Sequence, residues 1–219
     1  EVGLMKFTQI NPGARIVLLS ATMPNVEEIA EWVSYSLNQK QTFILRSEYR
    51  PVPLTVHYEK YDDSLRRYDL IEQEKINKAL DIVEWYKDDK FLVFAHTKRT
   101  GESMKKNLTD AGIECHFHNA DLESNERAKL EDRFKNDPKL RVIVATSTLA
   151  WGMNLPARRV VILGVHRGVD EVEPHDILQM IGRSGRYGID PMGDAYILVP
   201  ETRANEYKVK YSKSNRIES

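Results

Sequence analysis

Two arginines three residues apart, Arg183 and Arg186, are the side chains of this 219-residue sequence best suited to chemistry. They lie in the segment Gln179-Met180-Ile181-Gly182-Arg183-Ser184-Gly185-Arg186-Tyr187-Gly188. If a helix started by Pro174 persists this far, Gln179, Arg183 and Arg186 stand at i, i+4 and i+7 and project from one face. Gly182 and Gly185 remove side chains between them, so that another backbone or a phosphate can come close. A guanidinium keeps its charge and offers a planar fork of donors, which suits the spread negative charge of a phosphoryl group in transfer. The competing reading is a pair of salt bridges closing a helix end.

A second loop, 145–156, follows an apolar strand. Its hydroxyls at Thr146, Ser147 and Thr148, with free backbone N–H groups, suit phosphate oxygens without adding charge. Asn154 both donates and accepts, as reading a ribose hydroxyl requires. A third loop, Ser20-Ala21-Thr22, sets two short hydroxyls between a strand and a helix. Cys115, His116 and His118 do not make a metal site: on a strand the histidines share a face, Cys115 points away, and no second ligand pair is present. Trp32 and Trp85 fit helical periodicity as packing residues, which leaves Trp151 as the functional aromatic. Asp170-Glu171-Val172-Glu173 reads as a solvated turn.

These loops need strands and helices to hold them. Arg15–Leu19 reads as a buried strand, Asn25 as an N-cap with Glu28 completing a capping box, and Val26–Ser36 as a helix leading to a strand at Thr42–Leu45. Two prolines then force an extended connector at Tyr49–Leu54, where a domain boundary is expected. Beyond it strands and helices alternate: strand Thr55–Tyr58, helix Leu65–Tyr86, strand Phe91–Ala95 and helix Thr100–Asp110, ended by a left-handed Gly112. There follow strand Ile113–Phe117, helix Ser124–Lys135, strands Arg141–Ala145 and Arg159–Leu163, the Pro174 helix and strand Ala195–Val199. Such alternation implies an α/β fold, a parallel sheet with helices on both faces and chemistry at the carboxyl ends of the strands. The tail from Glu201 reads as a frayed end or the entry to a further domain.

Composition narrows the partners. With 41% hydrophobic and 30% charged residues the chain reads as an ordinary soluble protein. No apolar run approaches a membrane span and no signal segment opens it, so an intracellular location and no membrane partner are expected. One cysteine precludes an internal disulfide. A net charge of −1 argues against coating nucleic acid by bulk basicity, so any such contact must be local.

Six segments, taken in order, resemble superfamily 2 helicases, and more narrowly their Ski-like branch. They are L-S-A-T-M-P-N at 19–25, Y-R-P-V-P-L at 49–54, V-F-A-H-T-K-R-T at 93–100, H-N-A-D-L at 118–122, A-T-S-T-L-A-W-G-M-N-L-P-A at 145–157 and Q-M-I-G-R-S-G-R-Y-G-I-D at 179–190. The resemblance implies a RecA-like second lobe at 55–200, a linker at 49–54, the last strands of a first lobe at 1–48, and a tail or further domain at 201–219. It implies that Ser20 and Thr22 couple hydrolysis to closure, that Thr97, Arg99, His118, Arg127 and Thr146 meet the backbone of single-stranded or partly duplex DNA or RNA, and that Gly152 and Asn154 approach the nucleotide. Gln179 would organise the interlobe site while Arg183 and Arg186 reach the γ-phosphate of ATP, held with Mg²⁺ mainly by the first lobe. None of the eleven glycines is followed by lysine, so the phosphate-cradling G-K-[ST] is not in this sequence and the fragment alone is expected to be inactive.

Three departures stand out. Asp121 occupies a glycine position, Ser184 an alanine one, and 165–174, where DNA-repair relatives carry a duplex-splitting β-hairpin, is short and acidic, so that a reduced hairpin is expected there, with a plain loop as the alternative. A noncatalytic, helicase-like docking scaffold is the alternative function, and a G-K-[ST] with a D-E-x-[HD] box upstream would exclude it.

Overall fold

The alternation of apolar runs with amphipathic helices from Leu54 onward builds a six-stranded sheet in the computed structural model, which describes residues 2–19, 25–37, 41–47, 49–65, 67–146 and 155–212. The chain divides between Tyr49 and Arg50 into two compact units, the second ending at Ser214.

In the first unit, α1 (Val2–Ile10) and α2 (Val26–Glu31) are helical, and Trp32–Leu37 continues as a π-helical turn. The expected capping box is absent: Asn25 holds the N-cap position without capping, and its amide donates instead to the Glu28 carboxylate at 3.4 Å. Arg15–Leu19 and Thr42–Leu45 are not strands. Strand geometry requires a ladder, and neither run finds one among the described residues, leaving Leu18, Leu19, Phe43 and Leu45 exposed.

The second unit runs β1 (Leu54–Tyr61), α3 (Tyr68–Trp85), β2 (Phe91–Ala95), α4 (Lys98–Asp110), β3 (Cys115–His118), α5 (Ser124–Asn136), β4 (Val142–Thr146), β5 (Arg159–Ile162), β6 (His166–Arg167), β7 (Asp170–Glu171), α6 (Pro174–Ile181), β8 (Gly193–Pro200) and α7 (Ala204–Ser212). The sheet order is β1-β8-β5-β2-β4-β3, every neighbouring pair parallel. Burial on both faces explains why β2 is a continuous apolar run and why β4 and β5 are apolar but for Thr146 and Arg159 at their ends, rather than alternating. One face packs Leu92, Phe94, Ile143 and Ile162 against α5, α6 and α7. On the other, Phe91, Val93, Val144 and Val161 pack against Ile76, Ala79 and Val83 of α3 and Met104 and Leu108 of α4. Helices therefore cover both faces.

Local signals set several boundaries. Gly112 ends α4 with φ +74°, the left-handed geometry expected of it. Glu123 and Glu126 form a reciprocal capping box at the start of α5. Lys90, buried between β2 and the end of α5, donates to the carbonyls of Phe134, Asp137 and Leu140 and so satisfies acceptors that the helix end leaves open.

Three expectations are corrected and one is met. The Pro174 helix stops at Ile181 instead of reaching Arg186, because Ser184 is drawn into a parallel bridge with Ala157. Trp85 is 81% exposed, since the α3 stripe that meets the sheet is Ile76, Ala79 and Val83. The tail is not frayed over α7, whose Tyr207 and Tyr211 are buried in the core. Residues 165–174 form the reduced hairpin expected there, β6 paired antiparallel with β7 across Gly168-Val169, and Asp170 and Glu171 lie in its second strand rather than in a solvated turn.

Candidate functional site

The arginine segment leaves α6 and becomes a tight, doubly braced turn. Ala157 donates its N–H to Arg183 O at 3.0 Å and accepts from Gly185 N–H at 2.7 Å. Gly185 has φ +86°, and a Cβ there would meet Val52 Cγ1 at 2.6 Å and the Gly193 backbone at 3.2 Å. The close approach expected of this glycine is thus to backbone and a valine methyl. Gly182 serves differently, ending α6 in right-handed geometry with only its own helix nearby.

Ser184 is fully buried, its hydroxyl donating to Asp194 O at 2.9 Å. From the connector, Arg50 donates to Ser184 O at 2.6 Å and Val52 O at 2.8 Å, so a guanidinium caps the carbonyls left open past α6. Beneath the turn the Asp194 carboxylate gathers His57 at 2.9 Å and Arg158 and Arg159 at 2.7 Å each. Arg159 also pairs with Asp89 at 2.6 Å and lies over the Tyr86 ring, 3.4 Å from its centre. This buried network, unforeseen from sequence, makes the floor of the turn rigid.

On that floor Arg186 is anchored to Asp190. Its Nε and Nη2 donate to the two carboxylate oxygens at 2.8 and 2.7 Å, and its backbone N–H adds a third bond at 2.8 Å. The hydrogen bonds that Arg186 donates to Asp190, opposed by burial, raise the Arg186 pKa above its usual value. Burial works against the Asp190 charge, but the Arg186 bonds outweigh it and hold that carboxyl below the usual range. The Arg186 side chain is 23% exposed and the neighbouring Tyr187 and Ile189 are exposed, so the turn opens to solvent. Gln179 and Arg183 are half-buried, and burial lowers the Arg183 pKa. With α6 ended at Ile181, Arg183 and Arg186 share one braced turn rather than one helical face.

The remaining expected residues lie at the carboxyl ends of β2, β3 and β4. Thr97 caps α4, accepting from Thr100 N–H at 3.1 Å, and Arg99 is exposed in the first turn of that helix. Lys98 pairs with Asp121 at 2.7 Å, so the carboxylate that replaces the family glycine carries its own counter-charge. Arg127 donates to Leu122 O and Ala120 O, both at 2.8 Å, and holds the 118–122 loop. Thr146 is buried at the end of β4. The His118 ring is inside the lobe, 1% exposed, with neither nitrogen partnered. Burial, with Arg127 and His116 nearby, lowers its pKa. Ser20, Thr22, Trp151, Gly152 and Asn154 lie outside the described residues.

A separate cluster fastens the hairpin. Glu171 at its base accepts from Lys210 at 2.6 Å and Tyr207 at 2.8 Å and pairs with Arg203 at 2.8 Å. The bonds from Lys210 and Tyr207 pull its pKa down to about 2. Asp190 was legible in principle as an i+4 carboxylate after Arg186. Asp194, Arg50 and the Glu171 clamp depend on chain segments distant in sequence and had no local signal. Among the described residues no cluster of three His, Cys, Asp or Glu can hold a metal ion, and no helix is long and apolar enough to cross a membrane.

The family described as helicase conserved C-terminal domain matches residues 74–188. The ATP-dependent DNA helicase Hel308 of Thermoplasma volcanium is 35% identical over 91% of this chain. The DExH-box ATP-dependent RNA helicase DExH14 of Arabidopsis thaliana is 27% identical over 92% of it. The chain spans only 32% and 11% of the length of these two relatives. Among solved structures, the C-terminal domain of the DEAD-box protein Dbp5 superposes with a TM-score of 0.58 at 21% identity, covering 77% of this chain and 88% of that domain, a likeness of fold.

Proposed function

Since this chain belongs to the helicase conserved C-terminal domain family, as a RecA-like lobe of the Ski-like branch of superfamily 2, we propose that it is the second lobe of an ATP-dependent nucleic-acid motor. Residues 55–200 form that lobe, 49–54 the linker, 1–48 the end of the first lobe, and 201–219 the passage to a further domain. The first lobe binds the ATP phosphates. Arg183 and Arg186 face the γ-phosphate across the cleft, with Gln179 organising their approach and Ser20, Thr22, Gly152 and Asn154 linking the nucleotide to closure. Thr97, Arg99, Thr146, Arg127 and the 118–122 loop that Arg127 holds, with His118 at its start, meet the backbone of a DNA or RNA strand. The setting is intracellular.

The observation that carries this reading is the braced turn at 182–190, which holds a partly exposed arginine beside exposed Tyr187 and Ile189. A phosphoryl group in transfer spreads charge over its peripheral oxygens, and a fixed guanidinium stabilises it without reorganising at the moment of reaction. Two cations at such a turn fit an anionic phosphate. The donor set does not fit Mg²⁺, so no step is assigned to the metal on this chain.

In the intact parent, Arg186→Ala should lower nucleic-acid-stimulated ATP turnover by roughly 10³ to 10⁵, the usual worth of an arginine finger. Steady-state ATPase measured with and without single-stranded DNA and RNA tests this. An intact parent whose turnover ignores the substitution defeats the motor reading.

A further inference from the structure

Resting on the proposed role of Arg186, we infer that Asp190 is the positioning residue for that arginine: it holds the guanidinium by its Nε and Nη2 side and leaves the Nη1 side for a phosphate oxygen. The geometry is specific. A guanidinium carries five N–H groups, and the fork to Asp190 occupies one on Nε and one on Nη2, so three remain. A carboxylate gripping the same planar fork that a phosphate would use is a competitor if it blocks the outer side and a brace if it takes the inner one. Asp190 takes the inner one. Its side chain is 7% exposed against 23% for Arg186, so the carboxylate is the deeper partner.

The brace is itself held. Asp190 accepts the backbone N–H of Arg186, and its own N–H donates back to Arg186 O at 2.9 Å, while Ile189 N–H donates to the same carbonyl at 3.1 Å. Turning the carboxylate away would therefore cost the bond from the Arg186 backbone N–H as well as the fork, on a turn whose backbone bonds keep the two residues together. Without it, a long side chain on a glycine-flanked turn would sample several rotamers, and only a fraction of closures would find it in place. Binding of ATP, dominated by the other lobe in the proposed arrangement, would be little affected.

Asp190→Asn, which keeps the shape and removes the charge and one acceptor, tests the inference in the intact parent. Turnover of nucleic-acid-stimulated ATP hydrolysis should fall roughly 10- to 100-fold, the scale of a misplaced reacting group, with KM for ATP within about twofold. Partial misfolding would also lower turnover at constant KM, so the double variant Asp190→Asn/Arg186→Ala decides. If Asp190 acts only through Arg186, the double variant is no slower than Arg186→Ala alone. If it props the fold, the two losses multiply, and the inference is overturned. An unchanged or raised turnover in Asp190→Asn, with Arg186→Ala strongly impaired, overturns it as well and leaves the arginine's role standing. Unchanged turnover in Arg186→Ala removes that role first.

Discussion

At the scale of single residues, buried polar atoms are either matched or left to state their cost. Ser184, Lys90 and Arg50 are matched, each by backbone carbonyls. His96, just past β2, is half matched: its Nε2 lies 2.7 Å from Gly164 O while Nδ1 is buried without a partner. With Nε2 donating, Nδ1 carries the lone pair, and protonating it would place a second, unanswered N–H in the interior. Burial is the main reason its pKa falls from 6.5 to about 4, outweighing the Gly164 bond, with the nearby cations Arg167 and Lys75 adding to the fall. The unfolded chain takes up this proton near pH 6.5 and the folded one only near pH 4, so between those values the unfolded state binds more protons. The contribution is complete above pH 6.5 and is lost as pH falls towards 4, about 3 kcal/mol in all. Chemical denaturation from pH 7 to 4.5 should show wild type losing stability more steeply than His96→Gln, which offers a donor but does not titrate. Parallel pH profiles would show that His96 is protonated in the folded state. The Glu171 carboxyl, pulled from 4.5 to about 2, destabilises only below this window.

At the scale of elements, the hairpin shows what two residues per strand can and cannot do. So short a ladder has no independent stability, and β6–β7 is fixed by the carboxylate at its base, where Glu171 binds Lys210, Tyr207 and Arg203 of the last helical segments. Deleting 168–173 would remove that clamp together with buried Val172, and would confuse tip with anchor. The tip residue Val169 is 95% exposed. If the hairpin parts a duplex in the intact parent, Val169→Asp, which sets a negative charge before the phosphates, should reduce strand separation several-fold while ATP turnover and Tm stay within error. Equal unwinding by both proteins would reject the tip as a separator. The same elements show which parts of the fold were legible. The strands β2, β4 and β5 announced themselves as apolar runs, and Gly112 ended its helix where expected, because these signals are local and agree with the packing. The end of α6 was misread because what stops it, the bridge from Ser184 to Ala157, joins residues far apart in sequence. Trp85 was misread because helical spacing names two stripes and only tertiary contact chooses between them. Of the candidate site, residue types were readable while orientation was not. His118 matches a motif position yet faces inward, and Arg186 needed a partner that only the turn could bring to it.

At the scale of the whole molecule, the second unit has what independent folding requires: a sheet covered on both faces and a terminal helix buried through Tyr207 and Tyr211. In the proposed arrangement it offers ATP one side of a site. A ligand held at a hundred times its dissociation constant stabilises a protein by about 2.7 kcal/mol, which in a chain of this size corresponds to roughly 5 to 10 °C in Tm. Two arginines without a phosphate-cradling loop cannot reach that regime at millimolar ATP, because one or two exposed charge-assisted contacts are offset by the cost of immobilising the nucleotide. Residues 1–219 alone should therefore melt cooperatively through the second unit, with Tm moved by less than about 1 °C by millimolar ATP and Mg²⁺, and should show no nucleic-acid-stimulated ATP hydrolysis. With a net charge of −1 the isolated chain should also bind single strands weakly and with a shallow salt dependence, since the slope scales with the number of phosphates neutralised and only a few local contacts hold the strand. Differential scanning fluorimetry and a phosphate-release assay on the purified 219-residue chain check this together. A shift of several degrees, or turnover above background, would mean that the phosphates of ATP are gripped by this chain itself, and the division of labour between two lobes would have to be abandoned.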